Sequence, residues 1–217
     1  MNTLQVFAED IWIADGAIVR AYGFPFNTRM ILVRLRNGDL WINSPVEASA
    51  DEMNRVEEIG PVKHLVSPTP MHDWRLAGWS THFPAAKVWR ADELGDDAPD
   101  EWSSDLDQAV LRGSRVLNEV EFLHRRSRTL IFGDFIQKYP PRPGKHALNT
   151  FLKFLVPANG GVPIDIRLSF TGKKRVGRES LERVLQWDFD RVILAHGPAL
   201  DHDAKAFVRN AFSWLSG

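Results

Sequence analysis

Short, almost uninterrupted apolar runs are the feature that most restricts how this chain can fold. Residues 30–33, 130–132 and 191–195 consist almost entirely of aliphatic and aromatic side chains. A run of this length without polar alternation predicts a strand that is buried on both faces of a sheet. Sheets of this kind occur in α/β proteins, in which helices cover the faces. We therefore expect an α/β fold.

The first third of the sequence predicts several strands. Residues 11–13, 30–35 and 40–42 are short and rich in β-branched or aromatic side chains. Asn37-Gly38-Asp39 separates the last two, and Asn and Gly tolerate the positive φ angles that a hairpin turn requires. We therefore expect an antiparallel pair on either side of this turn.

A helix is predicted after this hairpin. Ser49 and Glu52 have the spacing of a capping box, in which each side chain accepts a hydrogen bond from the backbone N–H of the other residue. Gly60-Pro61 ends the helix, and residues 62–66 form the next strand. The order strand, helix, strand predicts a βαβ unit whose helix lies on a face of the sheet.

The rest of the chain continues this alternation without a linker or an internal repeat, so we expect one domain over residues 1–217. An acidic surface loop is predicted at 95–107. Leu181, Val184 and Leu185 form the apolar stripe of one helix, and Asp201 or Asp203 caps a final helix. The other predicted elements are strands at 88–89, 116–123, 129–132, 164–170 and 191–195, and a helix at 146–155.

Composition removes several classes of function. With 27 basic and 28 acidic residues, the chain lacks the positive charge that nucleic acids and anionic membranes select. It has no cysteine, which excludes disulfides, thiolate metal sites and a cysteine nucleophile. No signal peptide or run of ~18 apolar residues is visible. We expect a soluble cytoplasmic protein that binds a small-molecule substrate or ligand, and neither nucleic acid nor a membrane.

Metal-ligand and acid/base residues follow three of the predicted strands. His72 and Asp73 come after strand 62–66, Gly133-Asp134 follows strand 129–132, and His196-Gly197 follows strand 191–195. Functional residues gather at strand ends because the sheet holds them while the loop exposes them. Imidazole and carboxylate together suit zinc, iron or manganese, and either group can serve as a general base.

These junctions resemble the metallo-β-lactamase-like superfamily. The resemblance includes the early hairpin, the strand followed by Gly-Asp and the late strand followed by His-Gly, and it covers most of the chain. It implies a four-layer αββα sandwich of two mixed sheets with metal at one sheet edge. It also implies hydrolysis by a metal-bound hydroxide, with Asp134 as the bridging carboxylate and His196 as the final ligand.

The main signature of that superfamily, His-x-His-x-Asp-His, is altered in this chain. Aligned without gaps, its first two histidines fall on Pro68 and Pro70, its Asp on His72 and its last His on Asp73. Proline has no side-chain donor for a metal. The resemblance therefore implies a reduced site with at most one zinc, iron or manganese ion.

The residues predicted to form that site are His72, Asp134 and His196 as metal ligands, and Asp73 and Asp134 as catalytic acid/base groups. One alternative is a protein without metal that binds a small molecule or another protein through the former cleft. Another is an unrelated α/β fold. His124 is expected to be structural, with a carboxylate as its suggested partner, while Trp74 and Trp79 are the aromatic residues best placed to line a pocket.

Overall fold

The structure is a computed structural model, and it describes residues 3–21, 24–139, 144, 156–157 and 159–215. Two compact units make up the chain, Met1–Asp105 and Leu106–Gly217, and each is described by itself. The predicted helix at 146–155 lies outside the described residues. The expectation of one domain over 1–217 stays a prediction.

The described residues of the first unit contain eight strands. In chain order they are β1 (Gln5–Ala8), β2 (Ile11–Asp15), β3 (Val19–Ala21), β4 (Phe24–Phe26), β5 (Arg29–Arg34), β6 (Leu40–Asn43), β7 (Val62–Val66) and β8 (Lys87–Trp89). Six of them form one mixed sheet in the order β1-β2-β5-β6-β7-β8, and β3 pairs with β4 separately. The pairs are antiparallel from β1 to β6 and parallel from β6 to β8.

The local predictions for this unit are confirmed. Gly38 has φ +89° in the turn between β5 and β6. Helix α1 (Ala50–Glu57) begins at a complete capping box between Ser49 and Glu52, and its Val56 is buried in the core. Because β6 and β7 are parallel, α1 is the crossover helix of the expected βαβ unit.

Two helical elements between β7 and β8 were not predicted. A 3-10 helix, Pro70–Arg75, leads directly into α2 (Leu76–His82). Thr69 caps the 3-10 helix by accepting a hydrogen bond from the backbone N–H of Met71. Trp79 is buried, and its indole N–H donates to the carbonyl oxygen of Val46 at 2.8 Å. Trp79 therefore belongs to the core of this unit.

An aromatic cluster orders part of the segment that was predicted to be a surface loop. Trp102 is fully buried, and its ring makes edge contacts with Trp41, His64 and Trp89 at centroid distances of 6.2, 5.3 and 4.7 Å. The acidic composition around Trp102 indicated an exposed segment. Burial of one large aromatic ring releases enough free energy to hold such a segment against the core.

The second unit contains a four-stranded mixed sheet and three α-helices among the described residues. The strands are β9 (Leu106–Leu111), β10 (Glu119–His124), β11 (Thr129–Gln137) and β12 (Arg191–His196), and the helices are α3 (Ile164–Ser169), α4 (Lys174–Gln186) and α5 (Ala204–Ala211). The sheet order is β12-β11-β10-β9. Only the β11–β12 pair is parallel. The helices and the sheet share one apolar core, which includes Leu111, Leu123, Phe132, Phe170, Leu181, Val184 and Phe212.

The strand predicted at 164–170 is wrong, because this segment forms α3. Ile166 and Phe170 are buried, whereas Ile164 and Leu168 are 43% and 65% exposed. Burial therefore follows a spacing of three to four residues, as in a helix, and not the alternation of a strand. Pro163 directly before the segment is also typical of a helix start.

The final helix begins where it was expected, but its cap differs. Asp203 directly precedes α5 with a left-handed φ of +56°, and its side chain makes no capping hydrogen bond. Its carboxylate instead accepts a hydrogen bond at 2.8 Å from Nδ1 of His202. Among the described residues, no helix is long and apolar enough to cross a membrane.

Candidate functional site

Asp134 and His196 are brought together on the neighbouring parallel strands β11 and β12. Oδ1 of Asp134 lies 3.0 Å from Nε2 of His196, and both side chains are buried. His196 is the last residue of β12. Asp134 lies inside β11 and not in a loop after it, because the strand predicted at 129–132 continues to Gln137.

An irregularity in the β11–β12 pairing turns Asp134 toward this histidine. Phe132 pairs with Leu194 and Gln137 pairs with His196, so β11 contributes more residues than β12 over the same stretch. Extra residues of this kind bend a strand and re-aim its side chains, and they occur often beside functional sites. The bend places a carboxylate from mid-strand beside the end of the neighbouring strand.

Gly197 is required where β12 ends. Its φ is +151°, and a Cβ atom built on it would lie 2.5 Å from the carbonyl oxygen of Lys138. The backbone N–H of Lys138 also donates to the carbonyl oxygen of His196 at 2.9 Å. A side chain at position 197 would therefore push apart the two chain segments that carry the Asp134–His196 pair.

Glu119 anchors the segment around Asp134 and was not recognised from the sequence. Its fully buried carboxylate accepts hydrogen bonds from the backbone N–H groups of Gly133, Asp134 and Phe135 at 2.5, 2.9 and 2.7 Å. The available signal was Glu119-Val120-Glu121 within a predicted strand. Two acids on one face of a buried strand predict hydrogen-bond or charge partners inside the protein, because an unpaired charged group is costly to bury.

The burial of Glu119 and Glu121 perturbs the protonation of both carboxyl groups. Desolvation, and then the charge of Asp134, raises the pKa of Glu119 to about 7, although its backbone hydrogen bonds act in the opposite direction. Desolvation, and then the charge of Glu119, raises the pKa of Glu121 well above its ordinary value. Glu121 is therefore the member of the pair that retains a proton more readily.

His72 lies on the 3-10 helix of the first unit, where Ser44 orients its ring. Nδ1 of His72 lies 2.6 Å from the Ser44 hydroxyl, which lies 2.5 Å from Oδ1 of Asn43. With that amide oxygen as an acceptor, the hydroxyl donates to Asn43 and accepts from Nδ1–H of His72. A neutral imidazole with its proton on Nδ1 has its lone pair on Nε2, and a lone pair of this kind can bind a metal.

Ser44 adopts an uncommon backbone conformation to make this contact. Its φ is +55°, in the left-handed region that residues other than glycine visit rarely. Such conformations concentrate at functional sites, where the surrounding structure holds them in place. Ser44 directly follows β6, so its backbone is fixed by the sheet, and it was not recognised from the sequence.

Asp73 lies beside His72 on the same 3-10 helix. Its Oδ2 forms an ion pair with Nε of Arg90 at 3.4 Å. Its Oδ1 is buried and has no hydrogen-bond partner among the described residues. Trp74, the next residue, is 59% exposed, in contrast to the buried Trp79.

The other histidines that could have served as ligands have structural surroundings. His124 is buried and bonded through Nδ1 to the Ser127 hydroxyl at 2.8 Å, and the suggested bond to a carboxylate stays a prediction. His64 lies in the aromatic cluster of the first unit, and burial lowers its pKa. The neutral form fits an apolar position.

A scan against protein-family models matches residues 9–95 to a family described as "Domain of unknown function (DUF4336)". A comparison with the sequences of curated proteins finds no match. The residues of the family match all lie in the first unit. The fold of the whole chain is therefore best judged against solved structures.

Several solved structures are similar over nearly the whole chain. The metal-soaked flavodiiron core Flv1 from Synechocystis sp. PCC6803 has a TM-score of 0.65 and 12% identity, and it covers 99% of this chain. This chain spans only 60% of the length of that protein. A metallo-β-lactamase from Hirschia baltica has a TM-score of 0.62 and 12% identity, with 99% and 95% of the two chains covered.

A metallo-β-lactamase from Pontibacter korlensis is covered over its full length. The TM-score is 0.61 and the identity 14%, and the match covers 100% of both chains. At this level of identity the likeness establishes the fold. The expected α/β class with two mixed sheets is confirmed, and the alternative of an unrelated α/β fold is excluded. The chain therefore has a metallo-β-lactamase-like fold.

Proposed function

We propose that this protein is a hydrolase that uses a single metal ion, with Asp134 and His196 as ligands and His72 as the third ligand predicted from the sequence. The observation that carries the proposal is the buried Asp134–His196 pair. A carboxylate and an imidazole buried together on adjacent strands are commonly a structural pair or a metal site. The residue types, two nitrogen donors and one oxygen donor, are those of catalytic zinc sites that leave one position open.

The spacing of this pair suits an ion as well as a proton. Zinc binds histidine nitrogen and carboxylate oxygen at about 2.0–2.2 Å, so two ligand atoms on a tetrahedral ion lie roughly 3.3 Å apart. The observed separation of Oδ1 of Asp134 and Nε2 of His196 is 3.0 Å. Only a small adjustment is needed to exchange the shared proton for an ion. Metal affinity should therefore fall as the solution becomes more acidic.

The chain's own residues supply orientation and proton transfer. A bound ion of this type provides a nucleophile near neutral pH, by lowering the pKa of water to about 7, and polarises a carbonyl or phosphoryl oxygen. Ser44 holds the His72 ring in one tautomer. We assign Asp73 as the proton acceptor, since the ion pair with Arg90 orients its carboxylate. Asp134 is the second candidate for that role.

The prolines in the loop after β7 limit the site to one ion. Pro68 and Pro70 stand where the resembling superfamily has its first two histidines, and neither side chain can bind a metal. The same observation favours a second candidate function, a protein without metal that binds a small molecule.

In either case we propose a small-molecule partner. A cytoplasmic location and the absence of nucleic-acid and membrane binding stay predictions.

Metal content decides between these functions. We expect elemental mass spectrometry, on protein purified without chelators or a histidine tag, to find about one zinc, iron or manganese ion per chain. The ion should be lost in His196→Ala and retained in the matched control His82→Ala, whose imidazole bonds Asn54. If the wild-type protein takes up no ion after incubation with zinc, iron(II) or manganese, the hydrolase proposal is wrong and the binding protein is favoured.

Hydrolytic activity is the second arm of this test. A screen of ester, amide, thioester and phosphodiester substrates should reveal turnover that is lost with the metal and restored by adding it back. Activity that survived the double substitution His196→Ala with Asp134→Ala would contradict the assigned ligands, because that variant retains only one of the three proposed donors.

A further inference from the structure

Two buried glutamates of β10, Glu119 and Glu121, have no role in the chemistry described so far. Both side chains are fully buried on the same face of the strand, and their carboxyl groups interact electrostatically. Only Glu119 contacts the segment that carries Asp134. Comparing the two acids can therefore separate a role of Glu119 in the 133–135 segment from the free-energy cost that burial imposes on both carboxyl groups.

We propose that Glu119 is a positioning residue whose carboxylate holds Asp134 in the orientation that binds the metal ion. This inference rests on the proposed metal site, although its geometry does not depend on the presence of an ion. The ladder between β10 and β11 extends from the His124–Thr129 pair to the Phe122–Ile131 pair. Beyond that pair, the Glu119 carboxylate accepts the backbone hydrogen bonds of β11.

The three hydrogen bonds define the course of the irregular part of β11. Gly133, Asp134 and Phe135 are consecutive, and all three backbone N–H groups converge on one carboxylate. Successive N–H groups of an extended strand point to opposite sides, so their convergence requires the bend seen here. The bend is the feature that aims the Asp134 side chain at His196.

A carboxylate is the group that suits this position. It has two oxygens and accepts hydrogen bonds only, so it can serve three N–H donors at once. The amide of glutamine has one oxygen, and its NH₂ group would face at least one backbone N–H. Glu119→Gln should therefore release part of the segment, although it changes neither the size of the side chain nor its packing.

Glu121→Gln is the matched control. Glutamine has nearly the shape of a protonated glutamate, and Glu121 donates or accepts no hydrogen bond in the 133–135 segment. Both variants thus replace a fully buried carboxyl group of β10 by an amide. A nonspecific effect of substitution in this core would appear in both, whereas a positioning effect on Asp134 would appear only in Glu119→Gln.

The first measurement uses the protein without metal. The ¹⁵N resonance of the His196 imidazole reports its hydrogen bond with Asp134, and we expect it to shift in Glu119→Gln and to stay unchanged in Glu121→Gln. Zinc affinity is the second measurement, by competition with a chromophoric chelator. Loss of a group that orients a metal ligand typically weakens affinity by about 10–100-fold, and we expect this loss in Glu119→Gln alone.

The outcomes separate the two proposals. If the His196 resonance and the zinc affinity of Glu119→Gln both match wild type, or if Glu121→Gln shows the same changes, the positioning role is wrong. If the wild-type protein binds no ion but Glu119→Gln still shifts the His196 resonance, the metal site fails and the positioning of Asp134 stands. If Glu119→Gln does not fold, Glu119→Asp, which keeps the charge on a shorter stem, is expected to produce the same shift.

Discussion

Replacing Glu121 by Gln should make the protein more stable at neutral and alkaline pH, with a gain that vanishes in acid. Glu121 is fully buried, and desolvation together with the charge of Glu119 raises its pKa well above the ordinary 4.5. The unfolded chain therefore releases this proton at a lower pH than the folded protein does. Glutamine has the shape of the protonated acid and has no proton to lose.

The pH dependence follows from the number of protons bound in each state. Well below pH 4.5 both states hold the proton on residue 121, so this group does not change the free energy of unfolding with pH. Above that value the folded state binds more protons, and the free energy of unfolding of the wild type falls by up to ~1.4 kcal/mol per pH unit. The fall continues until the pH passes the raised pKa of the folded state. Groups that do not interact with Glu121 cancel between the two proteins.

Urea denaturation at half-unit intervals from pH 4.5 to 8 measures this difference. We expect the stability difference to be smallest at the acidic end of this series and the advantage of Glu121→Gln to grow by up to ~1.4 kcal/mol per pH unit above about pH 5, until the pH passes the raised pKa of Glu121. Glu182→Gln, on the exposed side of α4, should show no such trend. Parallel stability profiles, or a variant that is less stable at pH 8, would refute this account of the buried acid.

Three further predictions concern the backbone and the proposed site. Gly197→Ala should lower the free energy of unfolding by about 1–3 kcal/mol in urea, because its Cβ would meet the carbonyl oxygen of Lys138 at 2.5 Å, and an unchanged midpoint would contradict this. Gly78→Ala, in α2 with open space at its Cβ, should raise stability by up to ~1 kcal/mol, and a loss would be unexpected. Ser44→Ala should weaken zinc binding about 10-fold by calorimetry, since it removes the hydrogen bond that orients His72; equal affinity would refute that role.

The local features of the fold could be predicted because they depend on neighbouring residues. The Ser49 capping box and the Gly38 turn act through bonds and angles within a few residues. The junctions at Asp134 and His196 were recognisable because an apolar strand directly precedes each of them. Their proximity arises because β11 and β12 are adjacent and parallel, and the sequence indicated it only through the ligand roles that the family resemblance implies.

The features that were missed depend on contacts distant in sequence. The strand after Phe132 was expected to stop at Gly133-Asp134, since a charged residue normally ends a buried strand. It continues because Glu119, from another strand, satisfies the backbone groups of that stretch. Similarly, Ser44 and His72 meet across 28 residues, a separation at which no spacing rule relates a serine to a histidine.

The hydrogen bonds from β11 to Glu119 come from main-chain groups alone. This affects which substitutions the region can accept during evolution. Every residue except proline offers a backbone N–H, so the anchoring itself does not depend on which side chains occupy positions 133 and 135. Proline at any of the three positions would delete one of the donors. A search for distant relatives of this chain should therefore follow the paired acids Glu119 and Asp134, while accepting wide variation in the residues on either side of Asp134.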